Sequence, residues 1–143
     1  MKPSSLGDNI IYLCSEFSHR FSLLLSRKFE ENNIQVTPEQ FAILVVLWYK
    51  DGITQKAISE NLNRDKTTVA RVIEIMQRKG IVKQVTDERD NRARLIFLTS
   101  KGRAMQKEAV HISGSLYLEM LEGINTQHLD TGIKLLQQML AKF

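Results

Sequence analysis

The sequence predicts a mainly α-helical fold with one small β-hairpin. Apolar residues recur at helical spacing in six separate segments. Most of those segments begin at a residue suited to capping a helix. Between the fourth and fifth segments, over Ile81 to Leu98, the period changes to that of strands.

Each element follows from local signals. Asp8 to Glu31 reads as a helix, because Ile10, Cys14, Phe17, Phe21, Leu24 and Leu25 share one stripe; Glu31-Asn32-Asn33 stops it. Thr37-Pro38-Glu39-Gln40 is a start signal, with Thr37 as the cap, Pro38 in the first turn and Gln40 at the capping-box position. The helix that follows, to about Lys50, is apolar on nearly every side, so protein is expected all round it, Trp48 included. Asp51-Gly52 ends it. Thr54 can cap a short helix striped by Ala57, Ile58 and Leu62, and the polar run Asn61 to Arg64 breaks the pattern. Asp65 can cap the next helix, which runs to Lys79 and stops at Gly80. On a helical wheel Val69, Val72, Ile73 and Met76 fall in one arc, with Thr67, Arg71, Glu74 and Arg78 opposite and Thr68 at the edge.

Ile81-Val82 and Val85, then Ala93 to Leu98, make a two-stranded hairpin tipped by Asp87-Glu88-Arg89-Asp90-Asn91-Arg92. Such a hairpin must lean on the helices to be stable. Thr99 can cap a long helix to about Leu121, striped by Met105, Ala109, Ile112, Leu116 and Met120 and weakened at Gly114. Thr126 can cap a last helix striped by Leu129, Ile133, Leu136 and Leu140.

Two short helices joined by a tight turn and followed by a hairpin make a winged helix-turn-helix. The chain is accordingly divided into a helical region at 1–36 and 104–143, expected to form a dimer, and a winged helix-turn-helix at 37–103.

Composition agrees. The 143 residues are 43% apolar and 25% charged, ordinary for a globular domain. One cysteine, Cys14, excludes an internal disulfide framework and a CxxC zinc site. No apolar run nears the ~18 residues of a membrane span, and Met1-Lys2-Pro3-Ser4-Ser5 leads into no signal-peptide core. A soluble, cytoplasmic protein is expected.

The charge is concentrated. Arg64 to Arg103 holds eleven basic and five acidic residues, a balance of +6, while the whole chain carries +4. That asymmetry fits a nucleic-acid partner as well as it fits a solvated charged face. Docked in a major groove, the second short helix would bring Lys66, Thr67, Thr68 and Arg71 near base edges. Arg64 and Arg78 would meet phosphates. The hairpin-tip arginines Arg89, Arg92 and Arg94 would suit a narrow minor groove.

These residues reach a family. Gly80-Ile81-Val82-Lys83, Asp90-Asn91-Arg92 and Leu98-Thr99-Ser100-Lys101-Gly102 resemble the wing signature of the MarR family, G-(L/I)-V, D-x-R and L-T-x-x-G. Thr67-Thr68-Val69-Ala70-Arg71 is similar to the family's recognition-helix start, with Ala70 where the family often has Thr. Thr37, Gln40, Phe41 and Leu44 match the opening of its second helix.

The resemblance implies an effector-responsive transcriptional regulator, typically a repressor, that binds a pseudo-palindromic operator in double-stranded DNA as a homodimer through its terminal helices. It implies that Arg92 is the wing-tip contact and that Asp90 orients the wing through a neighbouring arginine, here Arg94; the bland alternative is an Asp90–Arg92 ion pair at the tip. Glu74 would pair with Arg71 or Arg78. A small-molecule effector, phenolic in class, would sit near Phe17, Arg20, Phe21, Trp48 and His111.

Alternatives remain in view. Cys14 lies where the family's organic-hydroperoxide sensors carry a reactive thiol. Only Tyr12 stands near it, however, and a thiol in an apolar stripe is by default a buried, inert core residue. Glu108 and His111 have a spacing that suits one metal, but no fuller ligand set accompanies them, so neither metal nor cofactor is expected. A winged-helix module that binds protein instead of DNA is a third possibility. An enzyme is not expected, since no Gly-rich phosphate loop, GxSxG or HExxH is present.

Overall fold

The computed structural model describes residues 4–143; the reading of Met1-Lys2-Pro3 lies outside them. A 3-10 turn at Leu6–Asp8 precedes α1 (Ile10–Glu31), α2 (Pro38–Tyr49), β1 (Ile53–Thr54), α3 (Gln55–Leu62), α4 (Lys66–Arg78), β2 (Val82–Thr86), β3 (Arg94–Leu98), α5 (Ser100–Leu121) and α6 (Thr126–Leu140). Residues through Ser113 form one compact unit and Gly114–Phe143 a second.

In the first unit the expected caps are present. The Thr37 hydroxyl accepts from the Gln40 N–H at 3.2 Å, and the Gln40 side chain accepts from the Thr37 N–H at 3.2 Å. Thr54 accepts from the Ala57 N–H at 3.1 Å, and Asp65 from the Thr68 N–H at 2.9 Å. α3 and α4 are separated by Asn63, whose φ of 49° allows the sharp reversal.

The core joins one face of α2 (Ile43, Leu44, Leu47) to Ile58 of α3, to Val69, Ile73 and Met76 of α4, and to Ile53, Ile81, Val82, Ile96 and Leu98 in and beside the strands. Each such side chain contributes about 1.5–3 kcal/mol by leaving water. The inward arc expected of α4 is thus the buried one.

The hairpin is part of a larger sheet. β1 adds to β3, giving the antiparallel order β1-β3-β2. Val82 pairs with Leu98 and Thr86 with Arg94, while Ile53 pairs with Ile96. The third strand supplies the support that a lone hairpin lacks. At two residues it is too short to show a period.

α2 is buried on one face only. Its last turn leaves Trp48 half exposed and Tyr49 84% exposed, against the expectation that protein surrounds it. α1 corrects another expectation: Cys14 is exposed. The stripe is covered only towards its carboxyl end, at Leu25 and Phe29, while Ile10, Ile11, Leu13 and Phe17 face solvent.

In the second unit, α6 begins after Asn125, whose side chain accepts from the Gln127 N–H at 2.9 Å. Asn125, not Thr126, is therefore the cap. Of the α6 stripe, Ile133, Leu136 and Leu140 are exposed and Leu129 is half-buried. Among the described residues, no helix is long and apolar enough to cross a membrane.

Candidate nucleic-acid interface

The packing that buries Val69, Ile73 and Met76 forces the opposite face of α4 outward. Lys66, Thr67, Thr68, Arg71, Glu74 and Arg78 are all exposed, as is Arg64 in the turn before the helix. Asp65 organises the amino end. It accepts from the Thr68 backbone N–H and also from the Thr68 hydroxyl. Those bonds, the hydroxyl's first, hold its carboxyl below the ordinary range, with Arg71 adding a smaller attraction. Thr68 therefore spends its hydroxyl proton on the cap and keeps its lone pairs and methyl for a partner, whereas Thr67 faces Asp65 with its backbone N–H and leaves its hydroxyl free among the described residues.

Glu74 makes no ion pair with Arg71 or Arg78. The expected pairing is absent because each group is individually solvated on an open face, where such pairs are worth under about 1 kcal/mol. Among the described residues, Arg64, Arg71, Arg78, Arg89 and Arg92 all lack a carboxylate partner. The outward face consequently presents an excess of positive over negative charge, with none of these arginines held in an ion pair.

The wing is fastened to the helix and stiffened across its tip. Gln84 of β2 donates to the Gln77 side chain of α4 at 3.1 Å. At the tip, Asp87 accepts from the Arg89 N–H and Asp90 from the Arg92 N–H, both at 3.0 Å. Arg94 reaches across the hairpin to the Thr86 hydroxyl at 2.9 Å and to the Asn91 carbonyl at 3.4 Å. The expected Asp90–Arg94 pairing is therefore replaced. Asp90 caps the turn that carries Arg92, at its backbone N–H and not its guanidinium, and Arg94 braces the strands.

The remaining nominated residues are not gathered into one site. Phe17 and Phe21 stack on each other along α1, with ring centroids 5.9 Å apart, and Arg20 pairs with Glu16 at 2.5 Å. Trp48 is at the exposed end of α2. His111 lines a small cavity of about 230 Å³ with Asn32, Ile34, Glu108 and Ile112. No group of three or more His, Cys, Asp and Glu side chains is placed to hold a metal ion among the described residues.

Two connections join segments too far apart in sequence for local signals to mark them. Asp51 accepts from the Leu98 N–H at 3.0 Å and pairs with Arg103 at 3.2 Å. Gln106, buried on α5, donates to the Leu44 carbonyl at 2.7 Å. Only the Asp51-Gly52 break hinted at the first, and nothing local marks the second.

Comparison with known proteins agrees with this geometry. The family model for the MarR family matches residues 36–93. The transcriptional regulator HosA of Escherichia coli O157:H7 is 28% identical over 105 residues, covering 73% of this chain and 78% of HosA. The organic hydroperoxide resistance transcriptional regulator of Bacillus subtilis (strain 168) is 29% identical over 85 residues, covering 59% of this chain and 58% of that protein. Among solved structures, the transcriptional repressor CouR bound to a 23-mer DNA duplex superposes with a TM-score of 0.83 at 20% identity, covering 98% of both chains. CouR of Rhodococcus jostii RHA1 bound to p-coumaroyl-CoA superposes with a TM-score of 0.84 at 19% identity, covering 95% of this chain and 94% of that one.

Proposed function

We propose that the chain, whose residues 36–93 match the MarR family model, is a member of that family and an effector-responsive, DNA-binding transcriptional repressor. It acts as a homodimer on a pseudo-palindromic operator. The observation that carries this reading is the outward face of α4, which presents Thr67, Arg71 and Arg78 with no acidic partner beside a stiffened wing that carries Arg92. A major groove is about 12 Å wide and admits one helix. Thr67, Thr68 and Arg71, with Lys66, approach base edges from the first turns of α4; Arg64 and Arg78 take phosphates, and Arg89 and Arg92 enter the flanking minor groove. Arg94 braces the wing and adds its charge there. CouR's complex with a DNA duplex supports the reading.

The dimer is supported by apolar surface that one chain leaves open. Ile11, Leu13 and Phe17 on α1 are exposed, and so are Ile133, Leu136 and Leu140 on α6. Patches of this kind on a small protein mark association surfaces. A two-fold pair would set its recognition helices about one DNA turn apart. A small-molecule effector is supported by CouR's complex with p-coumaroyl-CoA; Phe17, Arg20, Phe21, Trp48 and His111 are the residues proposed to meet it.

The experiment is a pair of variants. Arg92→Ala, which removes one cation from each half of the dimer, weakens binding to duplex DNA, lowers the salt slope by about two and leaves folding and association intact. Arg71→Ala costs roughly 1–3 kcal/mol on the cognate site if it is bidentate to a base. Parental affinity in both variants overturns the site assignment.

The exposure of Cys14 favours a second reading, a peroxide-sensing repressor. Its thiolate would attack the peroxide O–O bond, giving a sulfenic acid and, after one proton is taken up, an alcohol. Release from DNA by an organic hydroperoxide in the parent, absent in Cys14→Ser, supports it; equal DNA binding with and without peroxide excludes it.

A further inference from the structure

The carboxyl end of α4 is held by the first turn of α5. α4 closes with Gly80 at φ 70° and the Ile81 N–H bonded back to the Met76 carbonyl at 2.9 Å. Three carbonyls beyond the last turn still need donors. The Lys101 ammonium donates to the Lys79 carbonyl at 2.7 Å. The Thr99 hydroxyl lies 2.5 Å from the Gly80 carbonyl, and the Thr99 N–H donates to the Ile81 carbonyl at 3.0 Å. Gly102 lets the two backbones meet, since a Cβ there would lie 1.9 Å from the Ile81 oxygen. α5 is itself anchored to α2 through Gln106 and to the turn after α2 through Arg103 and Asp51.

We propose that Lys101 is a positioning residue for sequence reading: it caps the carboxyl end of α4 from α5 and so fixes the helix's pitch in the groove, without touching DNA. The proposal rests on the DNA-binding reading above. Lys101 places a positive charge at the negative end of the helix dipole and fills an open acceptor at the same atom. Leverage makes that end matter. α4 has 13 residues, about 20 Å at 1.5 Å per residue, so a tilt of about 5° moves its reading end by about 1.7 Å. Bonds to base edges tolerate only a few tenths of an ångström. Long arginine side chains on phosphates absorb such a shift.

The test compares the parent, Lys101→Met and Lys101→Arg on two duplexes of equal length. One is selected by the parent from a random-sequence library, the other is unselected. Lys101→Met is expected to lose about three- to tenfold on the selected duplex, the size of one charge-assisted bond at a helix end. Affinity for the unselected duplex and the salt slope stay at the parental values, and Lys101→Arg restores most of the loss. Equal loss on both duplexes with a slope lower by about two, one cation from each protomer, identifies a phosphate contact and overturns the proposal. Parental affinity in Lys101→Met, or failure of Lys101→Arg to restore it, also overturns it. If the parent selects no duplex, the DNA-binding reading itself fails, a result distinct from all of these.

Discussion

Asp51 ties the root of the wing to the end of α2: its Oδ1 accepts from the Leu98 N–H at 3.0 Å, 47 residues away in sequence. The same oxygen accepts from the Gly52 N–H at 3.1 Å, and Oδ2 faces Arg103 at 3.2 Å. One carboxylate thus joins the turn after α2 to β3 and α5. Asp51→Ala leaves a strand N–H without its acceptor and should cost about 1–3 kcal/mol in urea denaturation. Asp51→Asn keeps the Oδ1 acceptor and should recover most of that. Equal losses in both variants would show that charge, and not the acceptor, holds the strand.

The capping box of α2 gives a local prediction. Thr37→Ala removes the acceptor for the Gln40 N–H and should lower stability by about 1 kcal/mol, with an unchanged denaturant slope. A parental midpoint would show that water replaces the cap without cost.

Asp65 predicts a pH dependence. Its carboxyl titrates lower in the folded chain than in the unfolded one, chiefly through the Thr68 hydroxyl. Its contribution is therefore present above the ordinary carboxylate range and lost as pH falls through the folded value. Urea midpoints measured from about pH 6 down to about pH 2 should fall less steeply in Asp65→Asn than in the parent. Identical acid limbs would show that Asp65 adds nothing to acid sensitivity.

Gly102 predicts a severe variant. A Cβ there would lie 1.9 Å from the Ile81 oxygen, a backbone atom that cannot swing aside. Gly102→Ala should cost more than about 4 kcal/mol or prevent folding, as judged by circular dichroism. Parental stability would mean that α5 can shift away from Ile81 at little cost.

What the sequence disclosed follows the range of the forces involved. The caps at Thr37, Thr54 and Asp65 were legible because a cap bonds within three residues. The inward arc of α4 was legible because a wheel needs only one face to pack. Neighbouring candidates defeated the same logic at α6, where Asn125 and Thr126 are both good caps and only the backbone decides. β1 escaped because two residues carry no period. At the wing tip, residue types gave the right participants in the wrong pairs: Asp90 turned to a backbone N–H and Arg94 to Thr86 and Asn91. The burial expected of Cys14 and Trp48 failed for a different reason. Apolar periodicity announces that a face is to be covered and does not say whether the cover comes from the same chain.

The central claim is that the α4 and wing surface engages duplex DNA, with Arg64 and Arg78 at phosphates, Arg71 at base edges and Arg89 and Arg92 in the minor groove. It is tested most directly by duplex-DNA affinity measured across a range of salt concentrations. The account predicts a linear fall of log K with log salt, with a slope steeper than about −3 that shallows by about two in Arg92→Ala, one cation being lost from each protomer. A salt-independent affinity, or the absence of any binding at low salt, would contradict it.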